Sequence, residues 1–252
     1  MKTASETVSG LKFSVRANWA PLYINNRLYA GRIVPLHRMD ERNFSMMDGR
    51  SEAALHEFFY SRYGIHSNPE DRRLTGLEFL KKNHFVSHAI IITYDTTILV
   101  LGYNIFNYRF TKTNPGSGIH VDYFTSLQLN YPGNIKPPYL GGYEKDDTFY
   151  RVRGVGRATI AQACCYAVDM HPEEKPDSIA VDLTARSDDR LIQELYIKKY
   201  GFEFYKGKRG KNNELYFSFR KAKNFLSDYE KEYKKLERPE GNGRTYKDPF
   251  KY

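Results

Sequence analysis

Between residues 151 and 158 the chain reads Arg151-Val152-Arg153-Gly154-Val155-Gly156-Arg157-Ala158. The spacing that follows, through Ile160, Ala161, Ala163, Cys164, Ala167 and Val168, is that of a small-residue helix stopped by Pro172. Two glycines separated by one residue at a helix mouth let backbone N–H groups come close to an anion, and the helix N-terminus adds a favourable field. Phosphate is the chemistry this arrangement suits. Three ordinary alternatives compete. A Walker loop needs Lys and then Ser or Thr after a second glycine at wider spacing, and neither is present. A dinucleotide fingerprint wants a small residue where Thr159 stands and an acidic residue about twenty positions on, which Asp177 or Asp182 could supply. A turn without any ligand is the third.

The elements around this segment decide which surface it faces. Upstream, residues 85–94 and 97–110 are rich in β-branched and aromatic side chains about a turn at Asp95-Thr96, and they predict a long antiparallel hairpin. Residues 118–131, with Ile119, Val121 and Tyr123 alternating, predict a third strand. Pro132 to Phe149, interrupted by Pro137, Pro138, Gly141 and Gly142, predict an exposed loop that covers or lines a site. Downstream come a buried strand over 178–183, a helix over 189–200, and a hairpin opening at Gly201-Phe202 and returning through Leu215 to Phe219. A charged helix is predicted over 224–236, and helical spacing also marks 53–63 and 69–83.

In this order, Arg151-x-x-Gly154-x-Gly156 before a helix, then a strand, then a helix ending Leu195-Tyr196-Ile197-Lys198-Lys199-Tyr200-Gly201-Phe202, the chain resembles the GNAT superfamily of acyl-CoA-dependent N-acyltransferases. The resemblance covers roughly residues 85–220. It implies a mixed α/β fold: a splayed mixed sheet flanked by helices, here with an N-terminal extension. The organisation expected is an extension over 1–84 with two helices, a catalytic domain over 85–222 and a C-terminal helix and polar tail over 223–252.

The resemblance further implies acetyl-CoA as co-substrate. Its pantetheine arm would enter between the strands near 119–131 and 178–185, along Leu127 and Leu129. Its pyrophosphate would be held by the amides of Val155, Gly156, Arg157 and Ala158, with Gly154 permitting the turn and Arg151, Arg153 and Arg157 adding charge. A tyrosine that protonates the departing thiolate falls on Tyr196 counted forward from Ala185-Arg186; counted back from Gly201-Phe202 the same position is Ile197, so the helix carries one extra residue. Transfer to an amine also needs a proton acceptor, for which Asp122, His120, Asp182 and Glu144 are the candidates.

Composition bounds the rest. The 252 residues carry a net charge of +9, with 40% hydrophobic and 27% charged residues, which describes a folded protein attracted to anionic partners. The longest apolar stretch, 89–101, is broken by Asp95, so neither a membrane span nor a membrane partner is expected. Residues 1–7 lack the apolar core of a secretory signal, and the expected location is the cytoplasm. Cys164 and Cys165 are adjacent, unsuited to a disulfide with each other, and the seven histidines show no metal-site spacing, so no metal is expected. Basic residues from Lys198 to Lys223 with Tyr205 and Tyr216 interleaved favour a macromolecular amine acceptor, a protein or an aminoacyl-tRNA. The alternative function is a nucleic-acid-binding protein that keeps a GNAT-like fold without turnover.

Overall fold

The structure, a computed structural model, describes residues 19–24, 27–36, 55–57, 59–60, 64–65, 75–76, 78, 86–94, 97–108, 118–126, 129–130, 149–150, 152–185, 192–204 and 214–236. The strands are β1 (Trp19–Ile24), β2 (Arg27–Pro35), β3 (Val86–Tyr94), β4 (Thr97–Tyr108), β5 (Ile119–Ser126), β6 (Leu129–Asn130), β7 (Phe149–Tyr150), β8 (Val152–Arg153), β9 (Ile179–Thr184), β10 (Glu203–Phe204) and β11 (Glu214–Ser218). The helices used below are α1 (Val155–Met170), α2 (Ile192–Lys199) and α3 (Phe219–Leu236). Nine strands form one sheet in the order β10-β11-β9-β5-β4-β3-β2-β1-β8, and β6 pairs with β7 apart from it.

Among the described strands only β5 and β9 run parallel, with α1 in the connection between them, and this pairing shapes the centre of the sheet. Ile119, His120 and Val121 oppose Val181, Asp182 and Leu183. Beyond Val121, β5 runs on to Ser126 against β4 alone, while β9 ends at Thr184, one residue past its last pairing with β5. Opposite the same point β4 and β5 lose register: Phe106 faces Val121 and Ile105 faces Tyr123, leaving Asp122 as a bulge. A bulge bends its strand and raises the local twist, which is the geometry a splayed sheet requires. The fold is thus the GNAT-like mixed α/β sheet flanked by helices that the resemblance implies.

Residues 19–35 supply β1 and β2 to this sheet, and β8 adds to the far edge of β1 through Tyr23 opposite Arg153 and Ile24 opposite Val152. β6 and β7 pair Leu129 with Tyr150 and Asn130 with Phe149, closing the neck of the segment between them. Of the exposed loop expected over Pro132 to Phe149, Phe149 pairs in β7 and residues 132–148 lie outside the described residues.

One sheet face is covered by α1, α2 and α3. Ile160, Ala163, Cys164 and Ala167 of α1 bury against Val121, Val181, Leu183 and Phe217, while Ala158 and Ala161 meet Ala20, Leu22, Ile90 and Leu101. Small side chains let the helix lie close to the strands. α3 begins at Phe219, five residues before the expected Asn224, because first-turn amides find partners that its own sequence does not announce. Phe219 and Arg220 donate to the carbonyls of Ser178 and Pro176 at 2.9 and 2.8 Å, and Lys221 N–H to the Ser218 hydroxyl at 3.3 Å. Ser218 thereby acts as an N-cap. Phe219, Ala222, Tyr229 and Tyr233 bury one stripe of α3, with lysines on the other side.

α2 is a π-helix, in which Tyr200 N–H reaches the Leu195 carbonyl five residues back at 3.0 Å. A π-turn absorbs one inserted residue without shifting the helix ends, which explains why counts from the two ends of this helix disagree by one. It closes on Gly201 at φ +80, with Phe202 N–H donating to the Tyr196 carbonyl at 2.9 Å. This left-handed glycine stop sends Phe202 onto Phe217, ring centroids 4.1 Å apart. Among the described residues, no helix is long and apolar enough to cross a membrane.

Candidate active site

The glycine segment lies at the mouth of α1. Gly154 takes φ +106, and a β-carbon built on it would stand 2.6 Å from the Pro21 carbonyl oxygen on β1. Glycine is therefore required here by packing against β1 as well as by backbone conformation. Gly154→Ala is expected to destabilise the protein by about 2–3 kcal/mol from the left-handed conformation and the contact together, read as a fall in the urea midpoint. An unchanged midpoint would mean that the turn relaxes freely.

No side chain caps α1. The first internal helix bond is Ala158 N–H to the Gly154 carbonyl at 2.8 Å, so the amides of Val155, Gly156 and Arg157 precede the ladder. Three donors in a positive helix field, with Gly156 and Arg157 partly exposed, fit a phosphate oxygen. The side chains of Val155 and Ala158 are buried, leaving Val155 only its main chain to contribute, while the Ala158 amide, expected in the phosphate cradle, is taken by the Gly154 carbonyl. Arg153 is exposed, its guanidinium 5.9 Å from the Tyr23 ring centre. Leu127 and Arg151 lie outside the described residues, and Leu129 is described as part of β6 only.

Arg157 connects this mouth to a cavity of about 420 Å³ lined also by Lys199, Tyr200, Gly201, Phe217, Lys221, Asn224, Phe225 and Asp228. Its guanidinium donates to Glu232 of α3 at 2.8 Å and lies 5.6 Å from the Phe225 ring centre. Lys221 donates to the Gly201 carbonyl at 2.9 Å and to Glu203 at 2.7 Å, which holds the Glu203 carboxyl below its ordinary range, with Tyr216 assisting. Cations beside flat aromatic walls suit a phosphorylated aromatic group. The signal for this cavity was present only as scattered lysines, because α3 brings Asn224, Phe225 and Asp228 to it from a separate element.

Tyr196 is buried, with edge contacts to Tyr200 and Phe202 at 6.5 and 6.1 Å between ring centres. Tyr200, four residues on, lines the cavity instead. Its phenol is pushed up to about 12, by burial first and by Tyr196 next, against a lowering from Arg157. A phenol that ionises near 10 in the unfolded chain and only near 12 when folded gives stability that is complete below pH 10. That stability is lost as pH rises through 12, in all by roughly 3 kcal/mol. Tyr200→Phe is expected to flatten this alkaline loss, as read from urea midpoints at about pH 9 and about pH 11; an unaltered slope would assign the loss to other groups.

The acidic candidates part company. Asp122 sits in the backbone bulge at the fork of β5 and β9. The bulge breaks strict alternation, so strand parity alone no longer assigns a face to Asp122. Asp182 stands in β9 opposite His120 of β5, its Oδ2 3.2 Å from His120 Nδ1, with side chains 35% and 6% exposed respectively. Glu144 lies outside the described residues. Burial raises the Cys164 thiol well above its ordinary range, with Cys165 adding to the effect, so it is a core residue rather than a ready nucleophile. Among the described residues, no group of three or more His, Cys, Asp or Glu side chains is placed to hold a metal ion.

Sequence reasoning missed a buried polar chain between sheet and helix. Asn104 of β4 donates from Nδ2 to Gln162 Oε1 at 3.1 Å and Thr159 Oγ1 at 3.3 Å on α1. Its Oδ1 accepts from His88 Nδ1 of β3 at 3.0 Å, and His88 Nε2 accepts from the Tyr166 hydroxyl at 2.9 Å. All five residues are at most 4% exposed, so the network locks the first turns of α1 to β3 and β4. His88 and Asn104 stand in otherwise apolar strands, and that interruption was the available signal.

The fold and this site define a GNAT-like architecture whose helix mouth is suited to phosphate. No protein-family model matches the chain, and no curated protein does. Among solved structures it is similar to AtaTR bound with AcCoA, at 14% identity and TM-score 0.43 over 78% of this chain and 98% of that one. It is also similar to a tyrosine-to-phenylalanine mutant of the AtaT toxin bound to the C-terminus of the antitoxin AtaR, at 13% identity and TM-score 0.40 over 65% and 87%. A third is a tyrosine-to-phenylalanine mutant of KacT, at 14% and 0.36 over 67% and 94%. At these identities the likeness extends to no individual residue.

Proposed function

We propose that the protein is an acetyl-CoA-dependent N-acetyltransferase acting on a primary amine of a macromolecule. The observation that carries this reading is the fork between parallel β5 and β9, served by a helix whose first three amides precede its hydrogen-bond ladder. Beyond the last β5–β9 pair, backbone groups of β5 have no β9 partner, and in this reading they receive an extended, amide-bearing arm such as pantetheine. The α1 amides and Arg157 would hold the diphosphate, and the cavity beside them has the cations and aromatic walls for the nucleotide end. Arg157 is held by Glu232 at present, so a phosphate would share or displace that carboxylate. In this proposal Tyr196 protonates the departing thiolate, residues 85–222 form the catalytic domain and residues 1–84 the extension that helps select the acceptor.

Catalysis here rests mainly on positioning: an amine and a thioester held in one slot react at effective molarities far above those in solution. The test is to incubate the full-length protein and radiolabelled acetyl-CoA with a cell extract and ask where label appears. Label entering protein or aminoacyl-tRNA supports the reading. Label remaining on acetyl-CoA, together with salt-dependent RNA or DNA binding, would select the non-catalytic nucleic-acid binder.

A further inference from the structure

A second cavity, of about 170 Å³, lies on the seam between α1 and α3 and shares no lining residue with the cavity beside Arg157. Residue size opens it. α1 presents Ala158, Ala161 and Cys165 at the three- and four-residue spacing of one helix face, and α3 answers with Leu226, Tyr229 and Tyr233 at the same spacing. Long side chains hold the helices apart where short ones face them, and the gap between is walled further by Ile33 of β2. The Tyr229 phenol stays protonated, pushed up by burial first and by Cys165 next, so this aromatic wall is uncharged.

One polar side chain breaks the apolar lining. Gln162 lines the cavity and is only 3% exposed, and its Oε1 accepts from Asn104 at 3.1 Å. Among the described residues nothing accepts from its Nε2. A buried amide whose two N–H donors are unspent calls for an acceptor. The rim is acidic, with Asp169 exposed and Glu230 half-buried, Lys234 standing 3.6 Å from the latter. Two carboxylates disfavour an anion, so a phosphorylated compound does not suit this cavity. An ammonium suits it no better, because the apolar walls strip its water and Gln162 offers it donors where it needs acceptors.

We infer that this seam is a binding site for a small uncharged molecule, about the size of one aromatic ring, that carries a hydrogen-bond acceptor. The ring lies between the short side chains of α1 and the tyrosines of α3, and the acceptor takes a hydrogen bond from Gln162 Nε2. The volume agrees, since an apolar cavity of about 150 Å³ takes up benzene. The site stands apart from the acetyl-transfer reading, and either can fail alone.

The test titrates the full-length protein with phenol, toluene and benzoate as probes. Two signals are followed: the side-chain amide NMR resonances of Gln162, and the rate at which N-ethylmaleimide alkylates Cys165, read by peptide mass spectrometry. Phenol should shift the Gln162 resonances and slow the alkylation, both saturably. Toluene, a ring without an acceptor, should bind about threefold to tenfold more weakly, and benzoate should change neither signal. Cys165→Leu fills the gap from the α1 side; it should keep or raise the urea midpoint and lose phenol binding. If that variant does not fold, the three probes on the wild-type protein decide the matter. Gln162 resonances unmoved by phenol, as a cavity filled by water alone would give, overturn the assignment. So does benzoate binding as tightly as phenol, or phenol binding undiminished in folded Cys165→Leu.

Discussion

Gly156→Glu is expected to abolish the rise in melting temperature that acetyl-CoA gives the wild-type protein. Glutamate in the first turn of a helix faces the positive end of the macrodipole and is tolerated or favoured there by about 0.3–1 kcal/mol, so the unliganded variant should keep its own melting temperature. Bound acetyl-CoA meets the opposite situation, because the new carboxylate stands among the amides of Val155, Gly156 and Arg157. At a ligand concentration a hundred times Kd the wild type gains about 2.7 kcal/mol. A loss of affinity on the order of 100-fold in the variant would reduce that gain to a few tenths of a kcal/mol. Melting curves with and without acetyl-CoA decide the matter: an equal shift in both proteins would mean that the mouth of α1 holds no phosphate.

Asn104→Leu should cost stability without touching the helix mouth directly. The substitution leaves His88 Nδ1–H and Gln162 Oε1 buried without their shared partner, at about 1–3 kcal/mol for each group, or about 4 kcal/mol in all. Urea unfolding measures it, and a loss below about 1 kcal/mol would mean that the chain His88–Asn104–Gln162 re-forms around water. Because the network fixes Thr159 and Gln162 in the first turns of α1, a surviving fraction of the variant should also bind acetyl-CoA more weakly.

Much of the architecture was legible because it follows from local chemistry. The hairpin of β3 and β4, the parallel strand β9 and the small-residue helix α1 are each written in the period of their apolar residues. The two glycines at 154 and 156 and the Gly201-Phe202 stop are local conformational requirements, and they stand where the motif put them. Positions depending on partners distant in sequence were not legible. The start of α3 is set by carbonyls of Pro176 and Ser178, and the edge position of β8 by β1, which precedes it by about 130 residues. The extra residue in α2 was visible as a counting conflict, but only the hydrogen bond from Tyr200 N–H to the Leu195 carbonyl shows that a π-turn takes it up.

The chain by itself determined which backbone is bare enough to meet an anion, since glycine spacing and helix start are properties of neighbouring residues. It could not determine what surrounds that backbone. Glu232 on Arg157, Asn104 beneath Thr159 and Gln162, and His120 behind Asp182 are contacts between groups tens of residues apart, decided by strand order, register and helix docking. Electrostatics and hydrogen bonding act over a few ångströms of space, so the charges a site presents are known only when folding has said which residues stand within that distance.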